Sequence, residues 1–169
     1  MKKKNQTVIN KIKGFTLVEL LLYMGLFSLL TVVLTDILVT TVNIQLTSSS
    51  SNNIVQDGRY IYSRFIYDIN QAQSVILPQN LGDGSNSLEF TKNGNSYSYT
   101  LEMGNIILTD HTGSYQLNGY DTSISDLSFR RIGNINGKHT FRINFTISGK
   151  TTVNGNTEIR HFQTTAGLR

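Results

Sequence analysis

Residues 13–42 read KGFTLVELLLYMGLFSLLTVVLTDILVTTV. From Phe15 to Val42 this is a run of 28 residues holding two acids, Glu19 and Asp36, and no base. At about 1.5 Å per residue, a helix of that length exceeds a hydrocarbon layer of roughly 30 Å, so the run can span a bilayer. The 14 residues before it, MKKKNQTVINKIKG, hold Lys2, Lys3, Lys4, Lys11 and Lys13 and no acid. Basic residues ahead of an apolar run set that end on the cytoplasmic side.

Three readings of the segment compete. An ordinary secretory signal has an apolar core of roughly 7 to 15 residues and then a small-x-small cleavage site. Here the apolar run continues, and Ser28, Thr31 and Thr35 are followed by bulky residues, which argues against that reading. A plain signal anchor gives no reason for Glu19. A charged side chain in a spanning helix costs roughly 2.5 to 3.5 kcal/mol at mid-membrane and somewhat less near the interface, so Glu19 points to function and wants a partner. The bland alternative is a Glu19 that snorkels to the interface unpaired. Asp36, near the far end of the run, is read as sitting at the opposite headgroup level. Gly25 leaves a kink and a close-packing site both open.

The stretch Lys13-Gly14-Phe15-Thr16-Leu17-Val18-Glu19-Leu20-Leu21 resembles, nearly residue for residue, the cleavage and methylation motif of type IV prepilins, basic-Gly-Phe-Thr-Leu-x-Glu-apolar. The resemblance implies that a membrane-embedded prepilin peptidase, an aspartyl protease, cuts after Gly14 and methylates the new amine of Phe15. It also implies a partner for Glu19, namely the Phe15 amine of a neighbouring subunit. Two opposite charges, each costly in a low-dielectric bundle, offset one another in contact, and the pairing selects an axial register.

The formal charge of +4 invites a nucleic-acid reading, but its distribution weakens it. Without residues 1–14 the chain has ten basic against eleven acidic side chains, a balance of −1. The basicity therefore belongs to the leader, and nucleic-acid binding is not expected of the rest. The absence of cysteine excludes a disulfide scaffold, a thiolate metal site and a Cys nucleophile.

Asn43 to Asn53 reads NIQLTSSSSNN, which by propensity breaks a helix. A flexible linker and a polar part of one long helix both fit. Beyond it, Ile54, Ile61, Phe65, Ile69, Ala72 and Ile76 recur at spacings of three, four or seven, which predicts an amphipathic helix ending before Pro78. Arg59, Arg64, Asp57 and Asp68 are expected away from that stripe.

After Pro78 short alternating runs predict strands at Ser87–Thr91, Tyr97–Met103, Ile106–Thr109, Tyr115–Leu117, Ile124–Ile132, His139–Ser148 and Glu158–Thr164. Asn93-Gly94, Gly104-Asn105, Asn136-Gly137 and Asn154-Gly155 are turn signals. In FRINFTI, Phe141, Ile143, Phe145 and Ile147 share the face expected to meet the helix stripe. The expected fold is α+β and pilin-like: a long N-terminal helix packed on a mainly antiparallel sheet. Its parts are a leader (1–14), a transmembrane and filament-core helix (15–42), a linker with the amphipathic half of the helix (43–77) and a β-rich head (78–169).

The head shows little chemistry. His111, His139 and His161 lack metal-type spacing. Gly82-Asp83-Gly84-Ser85-Asn86 offers Asp83 and Asn86 as oxygen ligands, and some pseudopilins bind calcium in the head. Its spacing is not that of an EF-hand, and an ordinary turn is the favoured reading. Arg130-Arg131 beside Phe129 is a weak nucleic-acid patch. No nucleophile elbow, phosphate loop or dinucleotide fingerprint occurs, so no enzyme and no cofactor are expected.

The stretch Arg64-Phe-Ile-Tyr-Asp68-Ile-Asn-Gln-Ala72 and the end His161-Phe-Gln-Thr-Thr-Ala-Gly-Leu-Arg169 resemble the minor pseudopilin J group and related minor pilins. The resemblance implies a structural filament subunit, anchored by a single pass in the cytoplasmic membrane with its head outside, and then assembled into a pilus or pseudopilus. Its partners would be other pilins, prepilin peptidase, a membrane platform protein and an assembly ATPase. The alternative makes the head a tip adhesin or substrate-recruiting module, with Tyr97, Tyr99, Tyr115 and Tyr120 as contacts.

Overall fold

The computed structural model describes residues 14–133, 139–153 and 155–168. The first element, α1, is an α-helix over Leu17–Gln71. The chain divides into two compact units, one through Val42 and one from Asn43.

In the first unit the large apolar side chains from Phe15 to Val42 are all exposed, Phe15 at 74% and Phe27 at 70%. A helix that is apolar on every side cannot be stable facing water. Three of its hydroxyls bond back within the helix: Ser28 donates to the Gly25 carbonyl at 2.9 Å, Thr31 to Phe27 at 2.8 Å and Thr35 to Thr31 at 2.8 Å. Such back-bonding lets a Ser or Thr sit in an apolar helix without an orphaned donor.

In the second unit nine strands are described: β1 Ser74–Leu77, β2 Gly84–Ser85, β3 Leu88–Lys92, β4 Asn95–Glu102, β5 Asn105–Asp110, β6 Gly113–Gln116, β7 Thr122–Ile132, β8 Thr140–Val153 and β9 Asn156–Gly167. They form two antiparallel sheets rather than one, ordered β1-β3-β4-β5-β6 and β2-β7-β8-β9. The α+β class with a long N-terminal helix on antiparallel sheet is as expected.

The stripe Ile54, Ile61, Phe65 and Ile69 is fully buried, as are Phe141, Ile143 and Ile147, with Phe145 at 1%. Phe65 joins the helix to both sheets, edge-on to Tyr99 of β4 at 4.8 Å, to Phe129 of β7 at 5.3 Å and to Phe145 of β8 at 6.1 Å. Each such pair contributes roughly 0.5–1.5 kcal/mol beyond the area it buries. A bulge between Ser125 and Ser128 in β7, with Asp126 at φ +55°, resets the alternation so that Ile124, Leu127 and Phe129 all face inward.

Two local expectations are corrected. The helix stops at Gln71, seven residues before Pro78, because Ser74–Leu77 leaves to pair with β3; Gln73 already donates to the Thr91 carbonyl at 2.8 Å, and Ile76 is exposed in a strand. The β4–β5 turn is Met103-Gly104 rather than Gly104-Asn105, with φ of +47° and +79°, since Asn105 pairs with Glu102. The run Asn43 to Asn53 is helical throughout. Asn93-Gly94 forms its turn with φ of +53° and +78°, as a two-residue hairpin loop requires. Asn136-Gly137 and Asn154 lie outside the described residues.

Candidate functional site

Thr16 precedes the first helical residue and its Oγ1 accepts the Glu19 amide at 3.3 Å, the N-cap arrangement that satisfies one of the free donors of a helix start. Thr16-x-x-Glu19 has the spacing of a capping box, but the Glu19 carboxylate turns along the helix instead of back to the cap. Its Oε1 accepts from the Tyr23 hydroxyl at 3.3 Å. Tyr23 in turn meets the Phe15 ring edge-to-face at 6.0 Å. Glu19 and Tyr23, four residues apart, thus share one helix face, and the Phe15 ring just ahead of the helix meets Tyr23 there.

Tyr23 is the member of this site that sequence reading passes over. Its signal was available in the fourfold spacing. Gly14 is exposed with no heavy atom near a built Cβ, and the remaining leader residues 1–13 lie outside the described residues. Asp36 is exposed.

Residues 9–35 match the family model for the prokaryotic N-terminal methylation motif. The chain carries the methylation motif of type IV pilins and pseudopilins. Such proteins are structural subunits and not enzymes. The matched segment holds Gly14, Phe15, Thr16, Glu19 and Tyr23 and most of the exposed apolar run, and α1 is long and apolar enough to cross a membrane. Comparison with curated proteins and with solved structures returns no match.

The methylation-motif protein spends most of its head residues on structure. Asp68, expected away from the helix stripe, is fully buried: it takes Arg64 Nε at 2.8 Å, Lys92 Nζ at 3.1 Å and the Tyr99 hydroxyl. Burial first, and then the Asp68 charge, push the Tyr99 hydroxyl far above its ordinary range, so it stays a donor. Tyr99 is therefore not an exposed contact, whereas Tyr115 and Tyr120 are exposed at 48% and 87% and Tyr97 is partly buried.

The turn candidates Asp83 and Asn86 have different surroundings. Asp83 Oδ2 accepts from the Asn80 amide and side chain at 3.2 and 3.0 Å, while Asn86 lines a separate hollow with Ser85, Thr100 and Asp126. Among the described residues no three His, Cys, Asp or Glu side chains gather as metal ligands. The histidines have different partners: His111 stands edge-on to Tyr97 and His161 Nδ1 pairs with Thr146 Oγ1 at 2.8 Å. Arg131 is tied to the Pro78 and Gln79 carbonyls and Arg130 Nε to Gly82, so this pair braces a loop.

Proposed function

We propose that the protein is a minor subunit of a type IV pilus-like or type II secretion filament. Prepilin peptidase cuts it after Gly14 and methylates Phe15. The apolar helix anchors it in the cytoplasmic membrane with the head outside, and a platform protein and assembly ATPase then drive that helix into a filament of related subunits. The observation that carries this reading is a helix segment apolar on all sides and exposed among the described residues, whose start coincides with the methylation motif.

In the filament Glu19 pairs with the Phe15 amine of a neighbour. Tyr23 occupies one carboxylate oxygen, which leaves the other to meet an incoming ammonium. Two features favour a minor subunit, related to the J group, over a shaft subunit. The chain has no cysteine to close a loop late in the head, and Arg64, Asp68 and Ala72 form an ion-paired helix end capped by a buried alanine, fitting the pattern that suggested the J group.

Mass spectrometry of the amino terminus of protein isolated from its native cells tests the proposal. A chain beginning at Phe15 and carrying one methyl group is expected. A chain that keeps Lys2 to Lys13 overturns it.

A further inference from the structure

The head carries a groove of about 380 Å³ between α1 and the β5–β6 hairpin, within the roughly 300–1,000 Å³ of small-ligand sites. Tyr60 and Arg64 of α1 line it with Asp110, Tyr115 and Gln116 of the hairpin. Its floor is apolar, formed by Leu108 and Leu117. The two tyrosines that line it stand about half exposed, Tyr60 at 52% and Tyr115 at 48%.

The polar groups of the groove are held from outside it. Arg64 is fixed through Nε by the buried Asp68 at 2.8 Å, with further N–H donors to spare. Asp110 Oδ1 accepts from the Thr112 hydroxyl at 2.5 Å, the Thr112 amide at 2.7 Å and the Gly113 amide at 3.1 Å. Those bonds, the Thr112 hydroxyl foremost, hold the carboxyl below its ordinary range and keep it ionised at neutral pH. Gln116 Nε2 donates to the Asn118 carbonyl at 2.8 Å, which presents Oε1 as an acceptor. The Tyr115 hydroxyl is bonded to Thr112 Oγ1 at 2.8 Å. Side chains fixed in this way lose little freedom when a ligand arrives.

We propose that this groove binds a neutral saccharide, a pyranose lying against the tyrosines with its hydroxyls shared between Arg64, Asp110 and Gln116. A ligand rich in hydroxyls donates to Asp110 and Gln116 and accepts from Arg64 in one pose. An anion would meet the Asp110 carboxylate, and a cation would meet Arg64. A purely apolar ligand would strip water from the spare Arg64 N–H groups and the second Asp110 oxygen without replacing the hydrogen bonds they lose. The C–H face of a pyranose suits an amphipathic aromatic wall. The site stands whether or not the chain polymerises.

The test titrates the full chain, in a detergent without a sugar headgroup, with chitotriose, cellotetraose and maltotetraose, followed by saturation-transfer NMR. At least one of the three is expected to bind. Tyr115→Ala and Tyr60→Ala should each weaken binding by about tenfold, the effect of losing roughly one aromatic contact. Tyr120→Ala, an exposed tyrosine outside the groove, should leave it unchanged, and the melting temperature of each variant shows that the head is still folded. Absence of binding to all three sugars overturns the proposal. So does binding indifferent to both groove tyrosines, or a response confined to sialyllactose or to an acidic peptide supplied in parallel.

Discussion

Asp68 is fully buried, and three donors from three places in the sequence converge on it: Arg64 one helical turn earlier, Lys92 at the end of β3 and the Tyr99 hydroxyl on β4. The ammonium of Lys92 also lies over the Tyr67 ring at 4.6 Å, so the network joins the last turns of α1 to the first sheet through both charge and aromatic contact. A buried pair of this kind is poor evidence of net stabilisation over an apolar replacement, but removing one partner alone leaves the others uncompensated. Asp68→Asn, which keeps the shape and deletes the charge, is expected to destabilise the head by about 3 kcal/mol. Urea unfolding of the purified chain should show a lower midpoint at unchanged slope. An unchanged midpoint would mean that Arg64 and Lys92 find water as easily as they find Asp68.

At the scale of elements, Gly58 shows what holds α1 on the second sheet. A Cβ built there falls 2.2 Å from Cζ of Phe162, whose ring stacks on Phe145 at 5.1 Å. Intrinsic propensity alone favours alanine over glycine inside a helix by about 1 kcal/mol, and overpacking costs about 1–3 kcal/mol. The clash should win. Gly58→Ala is expected to lower the melting temperature of the chain, and adding Phe162→Leu should restore part of the loss. A higher melting temperature for the single variant would show that the Phe162 ring swings aside freely.

The same elements explain what could be read from sequence. Ile54, Ile61, Phe65 and Ile69, and the alternating FRINFTI, were readable because periodicity records which face is buried. The helical state of Asn43 to Asn53 was left open, since propensity sees only polar small residues there. Ser50 is in fact buried, its Oγ 2.2 Å from a Cβ built on Gly149, so a small side chain opposite a glycine is what that contact admits. Strand β1 was hidden because Ile76 extends the helical stripe in sequence, and only pairing of its segment with β3 decides its state. Asp68 was misplaced because a buried carboxylate reads as a surface one until its distant partners Lys92 and Tyr99 are known. At the amino terminus the motif residues stand out by type, whereas Tyr23 is marked only by its fourfold spacing from Glu19, which gains meaning once the helix is drawn.

For the molecule as a whole, the proposed function has membrane and filament make opposite demands on Glu19. In a bilayer its charge is a cost, somewhat below the roughly 2.5–3.5 kcal/mol of a mid-membrane acid, so a neutral residue should make the anchor a better membrane resident. In the proposed filament the same charge meets the amine of Phe15 and sets the register. Glu19→Ala should therefore be processed after Gly14 and accumulate in membranes while its share in sheared filaments falls by about tenfold or more, what the loss of roughly 1.4 kcal/mol of pairing produces. Glu19→Gln separates charge from shape: it retains an acceptor for Tyr23 but cannot neutralise an ammonium. If pairing is electrostatic, Gln should fail as Ala does. Incorporation of the Gln variant at the level of the native chain, quantified from membrane and filament fractions of one culture, would instead assign Glu19 to the Tyr23 hydrogen bond and leave the register to apolar packing.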